Sequence, residues 1–327
     1  MERLILDKTD LNILATLARD CRISYSSIGS QSGLTSKSVK SRVKNLINSG
    51  IIEKFIVRVN PAGFGYRAAN ILVLRNNGIS KEDVIDRIKQ FGDLVFHVHH
   101  MERTSTATVI IKEPWDDKIV QSLNDSLRPA VVKRINVFEL PVSTNLSETD
   151  LRIMKCLLIS GARREISEIA KELGISEKTT TRRLDRMKEG RLLDFSVQCN
   201  PASMIGYIQF AILINVESSY YRSVYERMYS EFQENILYHR SIIDPNDLLI
   251  FVLFGENVFM IDSVLAKVDS FEGVKNADVY IVTELKYHDG WIMKEIEERL
   301  LPQRPSSNES IAAAAGTPHS SYTTCRI

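Results

Sequence analysis

Residues 33–52 read GLTSKSVKSRVKNLINSGII, with four basic side chains, Lys37, Lys40, Arg42 and Lys44, and no acidic one. On a wheel turning about 100° per residue, Val39, Val43 and Leu46 form an apolar stripe, and Lys37, Lys40, Ser41 and Lys44 share the opposite side. Arg42 and Ser38 fall on the flank. Gly33 stops a short helical pattern over residues 26–32, and Gly50 stands where a C-cap would close the helix that begins near Thr35. Upstream, Asp7 with Asp10 three residues later reads as a helix start, and Leu11, Leu14 and Leu17 continue it as a stripe. Downstream, KFIVRVN (residues 54–60) is a strand pattern ended by Asn60-Pro61. Three helices with a tight glycine turn before the third, then a small hairpin, make a winged helix-turn-helix.

The pattern occurs twice. LDKTDLNIL from Leu6 matches LSETDLRIM from Leu146, and FIVRVNPAGFGY from Phe55 matches FSVQCNPASMIGY from Phe195, at an offset of 140 or 141 residues. Between the helical blocks each unit reads strand, helix, strand, strand, helix, strand. In unit 1 these are expected near residues 69–74, 80–91, 94–100, 106–112, 116–127 and 131–140, and in unit 2 near 207–216, 220–232, 236–242, 248–254, 258–270 and 274–283. A further helix is expected from Trp291 to Leu300. This βαββαβ order is ferredoxin-like. The fold class is therefore α+β, with two winged helix-turn-helix domains (1–62 and 142–202), two ferredoxin-like domains (63–141 and 203–300) and a Pro/Ser/Ala-rich disordered tail over 301–327.

Of 327 residues, 44% are hydrophobic and 25% charged, enough for more than one core. Cys21, Cys156, Cys199 and Cys325 form no CxxC pair and no Cys/His ligand spacing, so neither a disulfide framework nor a zinc site is expected. The N-terminus has no apolar signal region, and the longest charge-free run, Val197 to Val216, holds too many polar groups for a membrane span. The reading is cytoplasmic, with no membrane partner.

Charge then points to the partner. The whole chain carries 42 Lys+Arg against 41 Asp+Glu, yet residues 1–60 carry 10 against 5. An acid-free outward face on the second helix of a helix-turn-helix is what a polyanion wants, since a merely solvated helix tends to mix Glu with Lys. Base-edge contacts are expected from Ser36, Lys37 and Ser41, and phosphate contacts from Lys40, Lys44, Ser38 and Arg42. In unit 2, Lys178, Thr181, Arg182 and Arg186 are the corresponding candidates, but Asp185 stands where unit 1 has Lys44. Unequal contributions from the two modules follow.

These residues resemble the Lrp/AsnC (feast/famine) transcriptional regulators. The likeness rests on GLTSKSVKSRVKNL, the Gly-Ile-Ile exit and the Asn-Pro lead into the βαββαβ part, and covers residues 4 to about 285. It implies a sequence-specific regulator of archaeal or bacterial type that binds double-stranded DNA, with sensor domains that pair through their sheets. Family members carry one unit per chain; two here imply a fused pseudo-dimer, sheets face to face, reading half-sites about 34 Å apart, with further homo-oligomers open to it. An effector of the amino-acid class is also implied, but the family's Gly-Asp-x-Asp motif is reduced to Asp244-Pro245-Asn246-Asp247 in unit 2 and Glu102-Arg103-Thr104-Ser105 in unit 1. Asp244 and Asp247 are its remaining candidate wall.

HVHH places His97 and His99 on one strand face, a spacing that can chelate a metal but lacks a third ligand and fits an interface pair as well. No phosphate loop, nucleophile elbow or HExxH motif occurs, so neither catalysis nor a cofactor is expected. Two alternatives use the same architecture. Siroheme decarboxylase subunits are similar, with His239 and Arg240 facing a tetrapyrrole carboxylate, and a protein-interaction scaffold would use the sheet alone; neither needs an acid-free helix.

Overall fold

The three helices of unit 1 are α1 (Lys8–Arg19), α2 (Tyr25–Ser32) and α3 (Ser36–Asn48), followed by strand β1 (Ile52–Val59). Its ferredoxin-like part is β2 (Arg67–Leu74), α4 (Lys81–Ile88), β3 (Leu94–His100), β4 (Thr104–Ile111), α5 (Asp117–Leu127) and β5 (Val131–Phe138). Unit 2 repeats the order as α6 (Glu148–Ser160), α7 (Ile166–Leu173), α8 (Glu177–Glu189), β6 (Leu193–Cys199), β7 (Ile208–Val216), α9 (Tyr221–Phe232), β8 (Ile236–Tyr238), β9 (Leu248–Gly255), α10 (Val258–Asp269) and β10 (Val274–Tyr287), then adds α11 (Gly290–Leu300). This computed structural model describes residues 4–139, 141–238 and 248–301. The expected continuation of β8 to residue 242 and nearly all of the C-terminal tail lie outside them.

Local chemistry sets the helix ends. Asp7 and Asp10 form a reciprocal capping box at α1, and Ser147 and Asp150 repeat it at α6. Gly33 and Gly174 close α2 and α7 in the left-handed conformation, both at φ 66°, where a side chain would be strained.

Strand pairing departs from the sequence reading in two ways. The strand after the third helix was expected to belong to a hairpin within each unit; instead β1 of unit 1 pairs antiparallel with β6 of unit 2 in a two-stranded ribbon. Each unit offers one good strand there, and the repeat supplies its partner. Ile56 lies opposite Ser196, its own counterpart at the offset of 140, so a pseudo-two-fold axis crosses the ribbon at that pair.

The second departure concerns the sheets. Four strands in the order β5-β2-β4-β3 continue directly into β10-β7-β9-β8, an eight-stranded sheet joined edge to edge through β3 and β10. The expectation of two separate sheets meeting only face to face is corrected accordingly. β10 runs on past the expected end at Thr283 to Tyr287 because its first half pairs with β7 and its second half with β3. The join is one-sided: β5 and β8 are left as the two edges.

Alternation divides the faces. Ala69, Ile71, Val73, Ala107 and Val109 pack under α4 and α5, while Phe210, Ile212, Phe251 and Leu253 pack under α9 and α10. The helix-turn-helix blocks dock crosswise. α1 of unit 1 lies against β6 and β8 of unit 2, with Lys8 Nζ 2.6 Å from Glu234 Oε2, and α6 of unit 2 meets β1 of unit 1 while packing on α11 of its own unit. No helix among the described residues is long and apolar enough to cross a membrane.

Candidate nucleic-acid interface

Thr35 caps α3, its Oγ1 accepting from the Ser38 amide at 3.1 Å, and the first turn holds no acidic residue. Val39, Val43 and Leu46 are buried beneath the helix. Ser36, Lys37, Lys40, Ser41 and Lys44 are all exposed, and among the described residues none of the three lysines is ion-paired with a carboxylate. The positive end of the helix dipole and three unneutralised ammonium groups therefore meet solvent on one face.

Arg42, expected to face phosphate from the flank, turns back into the module. Its Nη1 donates to Asp7 Oδ2 at 2.8 Å and to Asp10 Oδ1 at 2.7 Å. Asp10 is 5% exposed, and its hydrogen bond, with that of Asp7, raises the Arg42 pKa against the opposing effect of burial. Asp7 is held below its ordinary value: burial pushes it up, but the Asp10 amide and Arg42 outweigh that. Two carboxylates already spent on capping α1 lie within reach, and a guanidinium between them ties the third helix to the first.

Unit 2 repeats this tie. Arg183 Nη1 donates to Ser147 Oγ at 2.8 Å and to Asp150 Oδ1 at 3.1 Å, and Arg186, expected among the DNA contacts, also donates to Asp150. Asp150 is fully buried, so both guanidinium groups are drawn to it. Its own pKa lies below the ordinary value, because Ser147, Arg183 and Arg186 together outweigh burial. Lys178, Thr181 and Arg182 remain exposed, as do Glu177 and Asp185 beside them. Arg183 was missed in the sequence; the signal was the acid at the third helical position retained in both copies, which needs a cation.

The two modules also touch. Arg22 Nη1 donates to the carbonyls of Ala162 at 2.7 Å and Arg164 at 2.9 Å, and across the ribbon Arg58 binds Asp194 twice, at 2.6 and 3.0 Å. Arg58 is 7% exposed.

Asp244 and Asp247 lie outside the described residues, as do His239 and Arg240. At the matching position of unit 1, Ser105 is buried and shares a hydrogen bond with His99 Nδ1 at 2.8 Å. His97 Nδ1 lies 2.9 Å from His288 Nε2, so the histidines sit where β3 meets the end of β10. Among the described residues no group of three or more His, Cys, Asp or Glu side chains is arranged to hold a metal.

Comparison with known proteins places these modules. Residues 6–53 match the winged helix-turn-helix DNA-binding family, and residues 146–188 match the AsnC-type helix-turn-helix domain. An HTH-type transcriptional regulator of Methanocaldococcus jannaschii is 28% identical over 134 residues, 41% of this chain and 86% of the relative. LrpA of Pyrococcus horikoshii is 31% identical over 87 residues, 27% of this chain and 62% of its own length. Among solved structures, the siroheme decarboxylase NirDL aligns over 90% of this chain and 99% of its own at 15% identity and a TM-score of 0.47, and E. coli AsnC over 43% and 94% at 18% identity and 0.31.

Proposed function

We propose that this chain, a tandem member of the Lrp/AsnC family, is a sequence-specific DNA-binding transcription regulator acting as a fused pseudo-dimer in the cytoplasm. The observation that carries the reading is the exposed, acid-free face of α3. Lys40 and Lys44 contact phosphates, and Ser36, Lys37 and Ser41 reach base edges in the major groove. The second module contributes Lys178, Thr181 and Arg182, weakened by Glu177 and Asp185. Its two helix-turn-helix modules meet one duplex at half-sites about 34 Å apart. The five-segment division at residues 62, 141, 202 and 300 belongs to this reading, as do modulation by a small-molecule effector and the absence of catalysis.

Mapping of bound sites across the genome, followed by mobility shifts on the recovered sequences at several salt concentrations, tests it. Salt-sensitive binding to a sequence with two unequal half-sites is expected. A Soret band on mixing the protein with siroheme, and no sequence-dependent shift, would instead favour a tetrapyrrole enzyme.

A further inference from the structure

The faces of the eight-stranded sheet turned away from α4, α5, α9 and α10 line a partly open pocket of about 120 Å³, with Phe96 and Asn136 of unit 1 and Gln209, Ala211 and Tyr238 of unit 2 among its walls. A seam that only excludes water is apolar. This one holds two polar groups that nothing meets: Asn136 Nδ2, a donor, and Gln209 Oε1, an acceptor, both buried without a hydrogen-bond partner among the described residues. Gln209 is 3% exposed. A buried donor or acceptor left unmet is costly, so two of opposite kind in one pocket call for a third party.

Size and charge restrict that party. An engineered cavity of about 150 Å³ admits benzene, so this pocket has room for a single ring or a short branched chain. Arg58, the cation in its wall, is already met by Asp194 at 2.6 and 3.0 Å. His100, another wall residue, is held neutral, burial pushing its pKa down to about 4. A carboxylate or ammonium entering here would find no free counter-charge.

We propose that the pocket binds a small uncharged molecule with an apolar body, one acceptor for Asn136 and one donor for Gln209, the chemistry of a carboxamide or cyclic amide. This differs from the zwitterionic amino acids that the family resemblance implies. The site is also wired to the modules. The Tyr238 hydroxyl donates to the Val197 carbonyl at 2.9 Å and accepts from the Cys199 amide at 3.3 Å, both on β6, and Arg58 itself lies on β1. Occupancy therefore bears on the ribbon that joins the two helix-turn-helix blocks, and an effect on DNA affinity follows if the regulator reading holds.

The test uses the nitrogen-15-labelled full chain with benzamide, 2-pyridone, toluene and benzoate as probes, followed through the side-chain amide resonances of Asn136 and Gln209. Benzamide and 2-pyridone should shift both resonances; benzoate should not. Gln209→Met should weaken benzamide about tenfold while strengthening toluene, and Ala211→Phe should abolish both by filling the space. Should Ala211→Phe fail to fold, the change of selectivity in Gln209→Met decides alone. Equal binding of benzoate, unaltered selectivity in Gln209→Met, or no shift with any probe while long-lived water sits at the two amides overturns the site. These measurements need no DNA, so binding of benzamide without any change in DNA affinity keeps the site and removes only its link to the ribbon.

Discussion

Arg22 and Arg163 make the same contact in opposite directions. Arg22 donates to the carbonyls of Ala162 and Arg164; Arg163 donates to those of Cys21 and Ile23, the equivalent pair at an offset of 141 residues. Each guanidinium also lies over an equivalent phenylalanine, Arg22 at 5.2 Å from the Phe195 ring centre and Arg163 at 5.4 Å from that of Phe55. The contact is isologous, as in a two-fold dimer, although both halves lie on one chain. It fixes the relative placement of the two recognition helices more firmly than a flexible linker would, and so fixes the spacing of any two half-sites they read.

Replacing Arg22 and Arg163 together by alanine should loosen that placement. Affinity for a duplex with two half-sites is expected to fall about tenfold or more, while affinity for an isolated half-site barely changes and tolerance to altered spacing widens. Fluorescence anisotropy on a series of duplexes with shifted half-sites measures this. Equal losses on one and two half-sites would show that the pair supports only the fold.

Lys40→Gln with Lys44→Gln should weaken binding to all sequences alike. Each lost phosphate contact lowers the slope of log affinity against log salt by about 0.9, so the pair together costs up to about two units. Binding titrations over a range of KCl concentrations report the slope.

Arg42→Ala should behave differently. Its guanidinium joins two helices through Asp7 and Asp10, so the substitution is expected to cost about 1–3 kcal/mol of unfolding free energy with little change in the salt slope. Urea denaturation beside the KCl titration separates the two effects; a reduced slope at unchanged stability would return Arg42 to the DNA.

Asp185 is exposed on α8 at the position that Lys44 holds on α3. Asp185→Lys should raise overall affinity and steepen the salt dependence by about one unit, equalising the modules. An unchanged slope would mean that the second module stands off the duplex.

The join between β3 and β10 should be acid-sensitive. Burial pushes His97 down to about 3, with His99, His288 and Lys286 adding to it and Glu284 opposing, and pushes His99 down to about 4, with Lys81 and Arg75 adding to it and Glu284 and Glu82 opposing. A histidine whose folded pKa lies below its unfolded value of 6.5 leaves the native state binding fewer protons than the unfolded chain. Stability is then complete above about pH 6.5 and declines as pH falls toward 4. Glu284 stays ionised through that window: burial raises its pKa, but Lys286 and Lys81 bring it down to about 2. Urea midpoints between pH 7 and 4 should fall in the native protein and fall less in His97→Gln, in which the titrating group is gone.

The repeat, the three helices of each module, their caps and stripes, and the βαββαβ order could all be read along the chain, because each depends on residues a few places apart. The exposed lysines of α3 follow from the same local period. What no local pattern expresses is which of two equivalent surfaces a group will meet. Arg42 could face a phosphate or Asp10, and β1 could fold back within its own unit or pair with β6; the choices depend on side chains more than 30 and more than 130 residues away. Two copies of one sequence offer every strand edge a chemically similar alternative partner. Only the folded chain, where burial of Asp10 and Asp150 demands a cation and one sheet edge is closed by β10 while the other stays open, decides among them.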